Sequence, residues 1–152
     1  MPHSHLHRLE RIWISSPIFF ITTCTDNKRL LLSNESTASI LIAEWKSAPE
    51  RHGWHIGQYV IMPDHVHFFC SAGNESKSLS NFMKHWKELT SKRIKKECGT
   101  EGNIWQREFF DHVIRNEESY AQKKEYIFNN PVRAGLVTNA DEWLWKGEIE
   151  IL

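Results

Sequence analysis

Two histidines one residue apart, His65 and His67, sit in the run MPDHVHFF at residues 62–69. In an extended chain successive side chains alternate faces, so both imidazoles point one way while Val66 and Phe68 point the other. Two neutral imidazoles on one face make half of a metal site. The same pair also fits two half-buried histidines in ordinary hydrogen bonds, so a third ligand decides between the readings. Cys70 is near enough in sequence to suggest a His-His-Cys zinc centre. On a regular strand, however, it lies three residues past His67 and faces away from both rings. Asp64 likewise points to the other face, within a turn. The third ligand must come from elsewhere in the chain.

A C-terminal helix supplies a candidate. At roughly 100° per residue, Tyr120, Ala121, Ile127 and Phe128 gather into one apolar stripe that should face the core. Tyr126 lies roughly 160° from the centre of that stripe and Asn130 roughly 120° from it. The two are one helical turn apart and neighbour each other. A tyrosine held off the core beside a side-chain amide suits chemistry, although a surface tyrosine near a helix-ending asparagine has the same spacing. Tyr59, in the strand before the turn, and Tyr120, on the stripe, are read as packing residues. His55, His85 and His112 lack a second ligand at useful spacing and are read as structural or surface groups.

The elements that must position these residues follow from periodicity and turn chemistry. Pro17–Thr25 is rich in β-branched and aromatic residues and reads as a strand. An amphipathic helix follows from about Asn34 to Arg51, with Ser33 or Asn34 as N-cap and Gly53 as breaker. Trp54–Met62 and His65–Ser71 read as strands of a hairpin around Pro63-Asp64. A second helix spans about Lys77 to Cys98, and Ile104–Ile114 reads as a strand or strand pair with an irregular centre. The last helix runs from its N-cap Asn116 to Asn130, where Pro131 stops it. The order is β-α-β-β-α-β plus an extra helix: an α+β, ferredoxin-like arrangement with an antiparallel sheet and helices mainly on one face. Residues 1–16 form an N-terminal extension and 138–152 a short tail.

The 152 residues, 40% hydrophobic and 25% charged, suit one globular domain and exclude a disordered or fibrous chain. No apolar run is long enough to span a membrane, and the N-terminus, with His3, His5, Arg8, Glu10 and Arg11 scattered along it, has no signal-peptide pattern. The cysteines Cys24, Cys70 and Cys98 are odd in number and far apart, so a reducing cytoplasm is expected. Net charge is zero, but Lys77, Lys84, Lys87, Lys92, Arg93, Lys95 and Lys96 crowd one segment against the single acid Glu88. Such a stripe is either a solvated helix face or a phosphate-binding surface. Trp105, Trp143 and Trp145 fall in irregular stretches, where they either complete the core or stack on unpaired bases.

The segments MPDHVHFF, FFDHVIRNEESY (109–120) and above all EYIFNNPVRAGLV (125–137) resemble the single-tyrosine HUH endonucleases. The similarity is to the IS200-like transposases, and more closely to their REP-associated tyrosine branch, where Asn rather than Gln at the last motif position is typical. It extends from FFITTCT to about Val137, and the His-x-His with a downstream Tyr-x-x-x-Asn carries it as a set.

That resemblance implies that His65 and His67 bind a divalent metal, Mg²⁺ or Mn²⁺, with help from Asn130, and that Tyr126 is the nucleophile. The activity implied is cleavage and rejoining of single-stranded DNA at hairpins through a 5′-phosphotyrosine. Lys84, Lys87 and Arg115 are candidate DNA contacts, and the protein would sit in the cytoplasm, nucleoid-associated when bound to DNA. A self-mobilising insertion-sequence transposase and a non-catalytic hairpin-binding regulator remain as alternatives, with monomer and homodimer both open. An RNA-binding module on the same frame should carry the aromatic RNP pattern, which FFITTCT and HVHFFC lack.

Overall fold

Alternation in IFFITTC and HVHFFCSA makes two strands with two distinct faces, β1 (Ile18–Cys24) and β3 (His65–Ala72), and these pair antiparallel at the centre of the sheet. The computed structural model describes residues 16–152. β2 (Trp54–Ile61) forms the hairpin with β3, closed where the Met62 N–H donates to the His65 carbonyl at 2.8 Å. β4 (Phe110–Ile114) lies on the free side of β1, and β5 (Lys146–Glu148) on the free side of β2. The five-stranded order is β4-β1-β3-β2-β5, antiparallel throughout. The ferredoxin-like α+β expectation is met, with one strand more than foreseen.

The extra strand comes from the stretch expected to be a tail. Besides β5, that stretch carries Glu150, which pairs with His55 at 2.9 Å, and Leu152, which packs where a Cβ on Gly57 would otherwise stand. Its tryptophans are also engaged. Trp143 donates its indole N–H to the Ile61 carbonyl at 3.1 Å, and Trp145 packs on the main core. Trp105 is core as well: it forms an isolated bridge to Thr25, and its indole donates to Thr90 Oγ1 at 2.9 Å. Within Ile104–Ile114 only β4 is therefore a strand proper.

The first predicted helix is two. α1 (Glu35–Lys46) starts at Asn34, whose side-chain oxygen accepts from the Thr37 N–H at 2.9 Å, and α2 (Ala48–His52) follows after Ser47. Pro49 explains the break, since it has no N–H to continue the ladder and its ring crowds the carbonyl four residues back. Gly53, at φ +76°, ends α2 in the left-handed conformation that favours glycine. α3 (Leu79–Cys98) is capped by Ser78 Oγ at 3.2 Å from the Asn81 N–H. α1 and α3 cover one face of the sheet. Trp45 and Trp86 stack at 5.6 Å there, and Val66, Phe68 and Cys70 of β3 are wholly buried beneath the helices.

α4 (Glu117–Phe128) starts at Asn116, whose side chain accepts from the Ser119 N–H at 2.8 Å, and lies on the opposite face. Tyr120 and Ile127 are buried there with Phe20, Val60, Met62 and Phe69. Ala121 and Phe128, expected in the same stripe, are exposed. Each stands 100° further round than its buried neighbour, and the helix meets the sheet along a line too narrow to reach them. Pro131 does not stop the helical path as expected. α4 ends at Phe128, and after Asn129 a short α5 (Asn130–Arg133) begins afresh, with Pro131 in its first turn where the missing N–H costs nothing. The readings on residues 1–15 lie outside the described residues. Among the described residues no helix is long and apolar enough to cross a membrane.

Candidate active site

The register of β1 on β3 sets Thr22 opposite His67 and Cys24 opposite His65. Alternation turns both imidazoles toward the α4 face, as expected, and turns Cys70 into the closed core, where burial holds its thiol well above the usual range. The two rings meet edge to face at 4.8 Å, and His67 stacks on Phe20 at 5.1 Å. Thr22 Oγ1 is 2.8 Å from His67 Nδ1. His65 Nδ1 is 2.7 Å from Asp64 Oδ1, and because a carboxylate only accepts, the imidazole must donate. Asp64 thus corrects the expectation that it points away. It belongs to the turn, so strand alternation does not govern it. These partners orient the rings and leave both Nε2 atoms without a hydrogen bond among the described residues, the arrangement a metal-binding histidine needs. Burial first, then His65, Lys123 and Arg133, push the pKa of His67 down to about 3, so the ring is neutral and able to coordinate.

Of the three tyrosines in the chain, only Tyr126 is open, at 44% exposure. Its ring lies 6.1 Å from that of His67 and 6.4 Å from Phe20. Tyr120 packs edge-on against Phe69 at 5.0 Å, and burial, with Glu148 adding, pushes its phenol up to about 12. Tyr59 is buried against Trp45, and burial raises its phenol too. Both are packing residues, as the helix phase and strand position suggested.

Two cations that sequence reasoning passed over frame Tyr126. Lys123 places Nζ 5.3 Å from the Tyr126 ring centre and 5.0 Å from that of Phe20. Arg133 sets its guanidinium carbon 4.1 Å from the Tyr126 ring centre and donates to the Tyr126 carbonyl. Lys123 was legible as the i−3 neighbour of Tyr126. Arg133 was not, because its approach depends on the turn at Asn129.

Asn130 opens α5, half-buried, with its amide nitrogen buried and without a partner. No hydrogen bond joins it to either imidazole among the described residues. No group of three or more His, Cys, Asp or Glu side chains is gathered among them either, so a third protein ligand would be an amide or hydroxyl. Two oriented imidazoles, the buried one neutral, have the chemistry that a divalent cation needs, and Asn130 carries an unsatisfied amide.

The three candidate DNA contacts do not touch His65, His67 or Tyr126. Lys87 donates to the carbonyls of Gln106 and Glu108 at 2.8 and 2.7 Å, pinning the segment before β4, and burial pushes its ammonium down to about 8. Lys84 is exposed on α3 beside a cavity shared with Trp105 and Phe109, and Arg115 is exposed between β4 and α4.

A family model described as "Transposase IS200 like" matches residues 15–130. The REP-associated tyrosine transposase of Escherichia coli K12 is 29% identical over 133 residues, spanning 88% of this chain and 77% of that one. A solved structure of a REP-associated tyrosine transposase bound to a REP hairpin superposes with a TM-score of 0.70 at 24% identity, over 86% of this chain and 75% of that one. The pairing of His65 and His67 with an open tyrosine on the facing helix, and a family match across most of the chain, lead to one assignment: this protein belongs to the IS200-like transposase family.

Proposed function

We propose that the protein is a single-tyrosine HUH endonuclease and strand transferase of the REP-associated type, acting on single-stranded DNA beside hairpins. The observation that carries this reading is the approach of the one open tyrosine to His67 at 6.1 Å. Attack by the Tyr126 hydroxyl on phosphorus forms the O–P bond of a 5′-phosphotyrosine and breaks the bond to the 3′ oxygen. The phenol gives its proton to solvent, and the departing oxygen takes one up as a free 3′-OH. Because one phosphoester replaces another, the step runs backwards onto a new 3′ end.

Lys123 and Arg133 place two positive charges around the attacking ring, where a phosphodiester anion would settle. His65, His67 and Asn130 would hold the cation, magnesium or manganese. That ion would polarise the scissile phosphate and offset charge in the transition state. Thr22 and Asp64 hold the Nδ1 sides of the imidazoles, so that each Nε2 would be free for the cation. The ring of Tyr126 faces the His67 of its own chain, which supports a site completed in cis. The hairpin-bound relative supports a hairpin as substrate, and action on chromosomal DNA would place the protein at the nucleoid.

Incubation with single-stranded hairpin oligonucleotides from its own genome, with Mg²⁺ or Mn²⁺, should give a denaturant-resistant adduct that peptide mapping locates on Tyr126. An adduct on Tyr120 or Tyr59, or equal cutting of blunt duplex, would overturn the proposal.

A further inference from the structure

The helix-covered side of the molecule holds polar groups that the tyrosine site leaves unused. The last turn of α2, the loop into α3 and α3 itself enclose a cavity of about 720 Å³ lined by Arg51, His52, Lys77, His85, Lys92 and Lys95. Glu88 is the one acid in that lining among the described residues. Lys77 Nζ sits between two imidazoles, 3.0 Å from His52 Nδ1 and 3.1 Å from His85 Nδ1, and the rings are within 14° of parallel. An ammonium has only donors, so both Nδ1 atoms accept, and each neutral ring carries its proton on Nε2.

The consequence is a cavity supplied with donors and almost no acceptors. His52 is 3% exposed and its Nε2 is buried, so this ring does not donate into the cavity; through Nδ1 it instead holds the Lys77 ammonium in place at the cavity wall. Burial, then Lys77, His85 and Arg51, hold this imidazole near a pKa of about 4, so it does not add a further charge. Glu44, paired with Arg93 at 3.0 Å and Arg51 at 3.6 Å, offsets Arg51 within the lining and leaves Lys77, Lys92 and Lys95 without an acidic partner there other than Glu88. On α3, His85, Glu88, Lys92 and Lys95 recur at helical spacing and form one wall. With the protons so placed, neither imidazole offers a free lone pair to a cation. What remains is an anion with several acceptor oxygens.

We propose that this cavity is a phosphate-binding site, with Lys77, His85 and Lys92 as its donors and His52 as the residue that orients Lys77. The phosphate is either a free phosphoryl group or one on the backbone of bound DNA, and the chemistry of recognition is the same.

The test is calorimetric titration of the full chain, free of DNA, with inorganic phosphate at constant ionic strength. Saturable binding is expected, weakened tenfold or more in Lys77→Met and in Lys92→Gln. The second variant lies on an exposed helix position and is not at risk of misfolding. Lys96→Gln, one position beyond the lining, serves as the charge control and should bind as the parent does. Heat without saturation, or equal weakening in Lys96→Gln, overturns the proposal. The salt dependence of single-stranded DNA binding then assigns the source. A slope shallower by about 0.7 in Lys92→Gln marks a DNA phosphate, and an unchanged slope marks a free one. Neither measurement reads cleavage, so both stand whether or not Tyr126 forms an adduct.

Discussion

β3 is used in two opposite ways. Toward α1 and α3 it presents Val66, Phe68 and Cys70, all wholly buried in a cluster of 20 buried residues. Toward α4 it presents His65, His67 and Phe69 over a cluster of only eight. Most of the burial that stabilises the fold therefore lies on the side without the tyrosine chemistry. The thin face can leave a phenol open and two imidazoles in the place of apolar side chains because the thick face supplies most of the burial. Stability and activity should separate cleanly under mutation.

The sharpest separation is expected at Tyr126. Tyr126→Phe removes one hydroxyl from a half-open ring, so unfolding free energy should move by no more than about 0.5 kcal/mol. Adduct and strand cleavage should vanish on a denaturing gel, and a persisting adduct would show that the nucleophile lies elsewhere. His67→Ala should come next, with metal-dependent cleavage lost and a Tm change small beside that of core truncations. Cutting at the parent rate would remove the imidazoles from the mechanism.

The reverse experiment is Trp86→Ala on the closed face. It should cost about 3–5 kcal/mol by denaturant titration, while adduct formation per folded molecule stays at the parent level. A specific activity that falls with stability would mean that the faces are coupled. A smaller effect tests the groups behind the site. Thr22→Val keeps the shape and removes the partner of His67 Nδ1, for about 10- to 100-fold loss in cleavage or metal affinity, and raised metal concentration should restore part of it.

The smallest effect concerns pH on the closed side. Folded His52 takes its proton near pH 4 and the unfolded chain near 6.5. As pH falls, the unfolded state is protonated first, so stability present above 6.5 is lost progressively between 6.5 and 4. In phosphate-free buffer, His52→Gln should flatten that part of the stability curve. An unchanged curve would assign the acid sensitivity to other groups.

How much of this was legible follows the range of the interactions. Alternation alone put His65 and His67 on one side and Cys70 on the other. Helix phase alone separated Tyr126 from Tyr120. Both are local periodicities, and both hold. The misreadings cluster where a distant segment decides. Trp105 was left between core and base stacking because nothing nearby in sequence reveals its bridge to Thr25. Residues 146–148 looked like tail because a three-residue strand exists only through its pairing with β2. The hydrogen bonds that Lys87, a candidate DNA contact, donates to the carbonyls of Gln106 and Glu108 were likewise out of reach of local patterns. Phe128 was placed inward by assuming a contact line wider than the one α4 makes.

Phe20 touches both His67 and Tyr126, which come from a middle strand and a late helix of the described chain. Contacts of such high sequence separation close only after long loops have been ordered, which places their formation late in folding. A ribosome releases β1 and β3 well before α4, so the nascent chain carries its histidines without their tyrosine. The contact between Tyr126 and His67 can therefore form only after both elements have been made. Were Tyr126 the nucleophile proposed above, the order of synthesis would act as a safety catch.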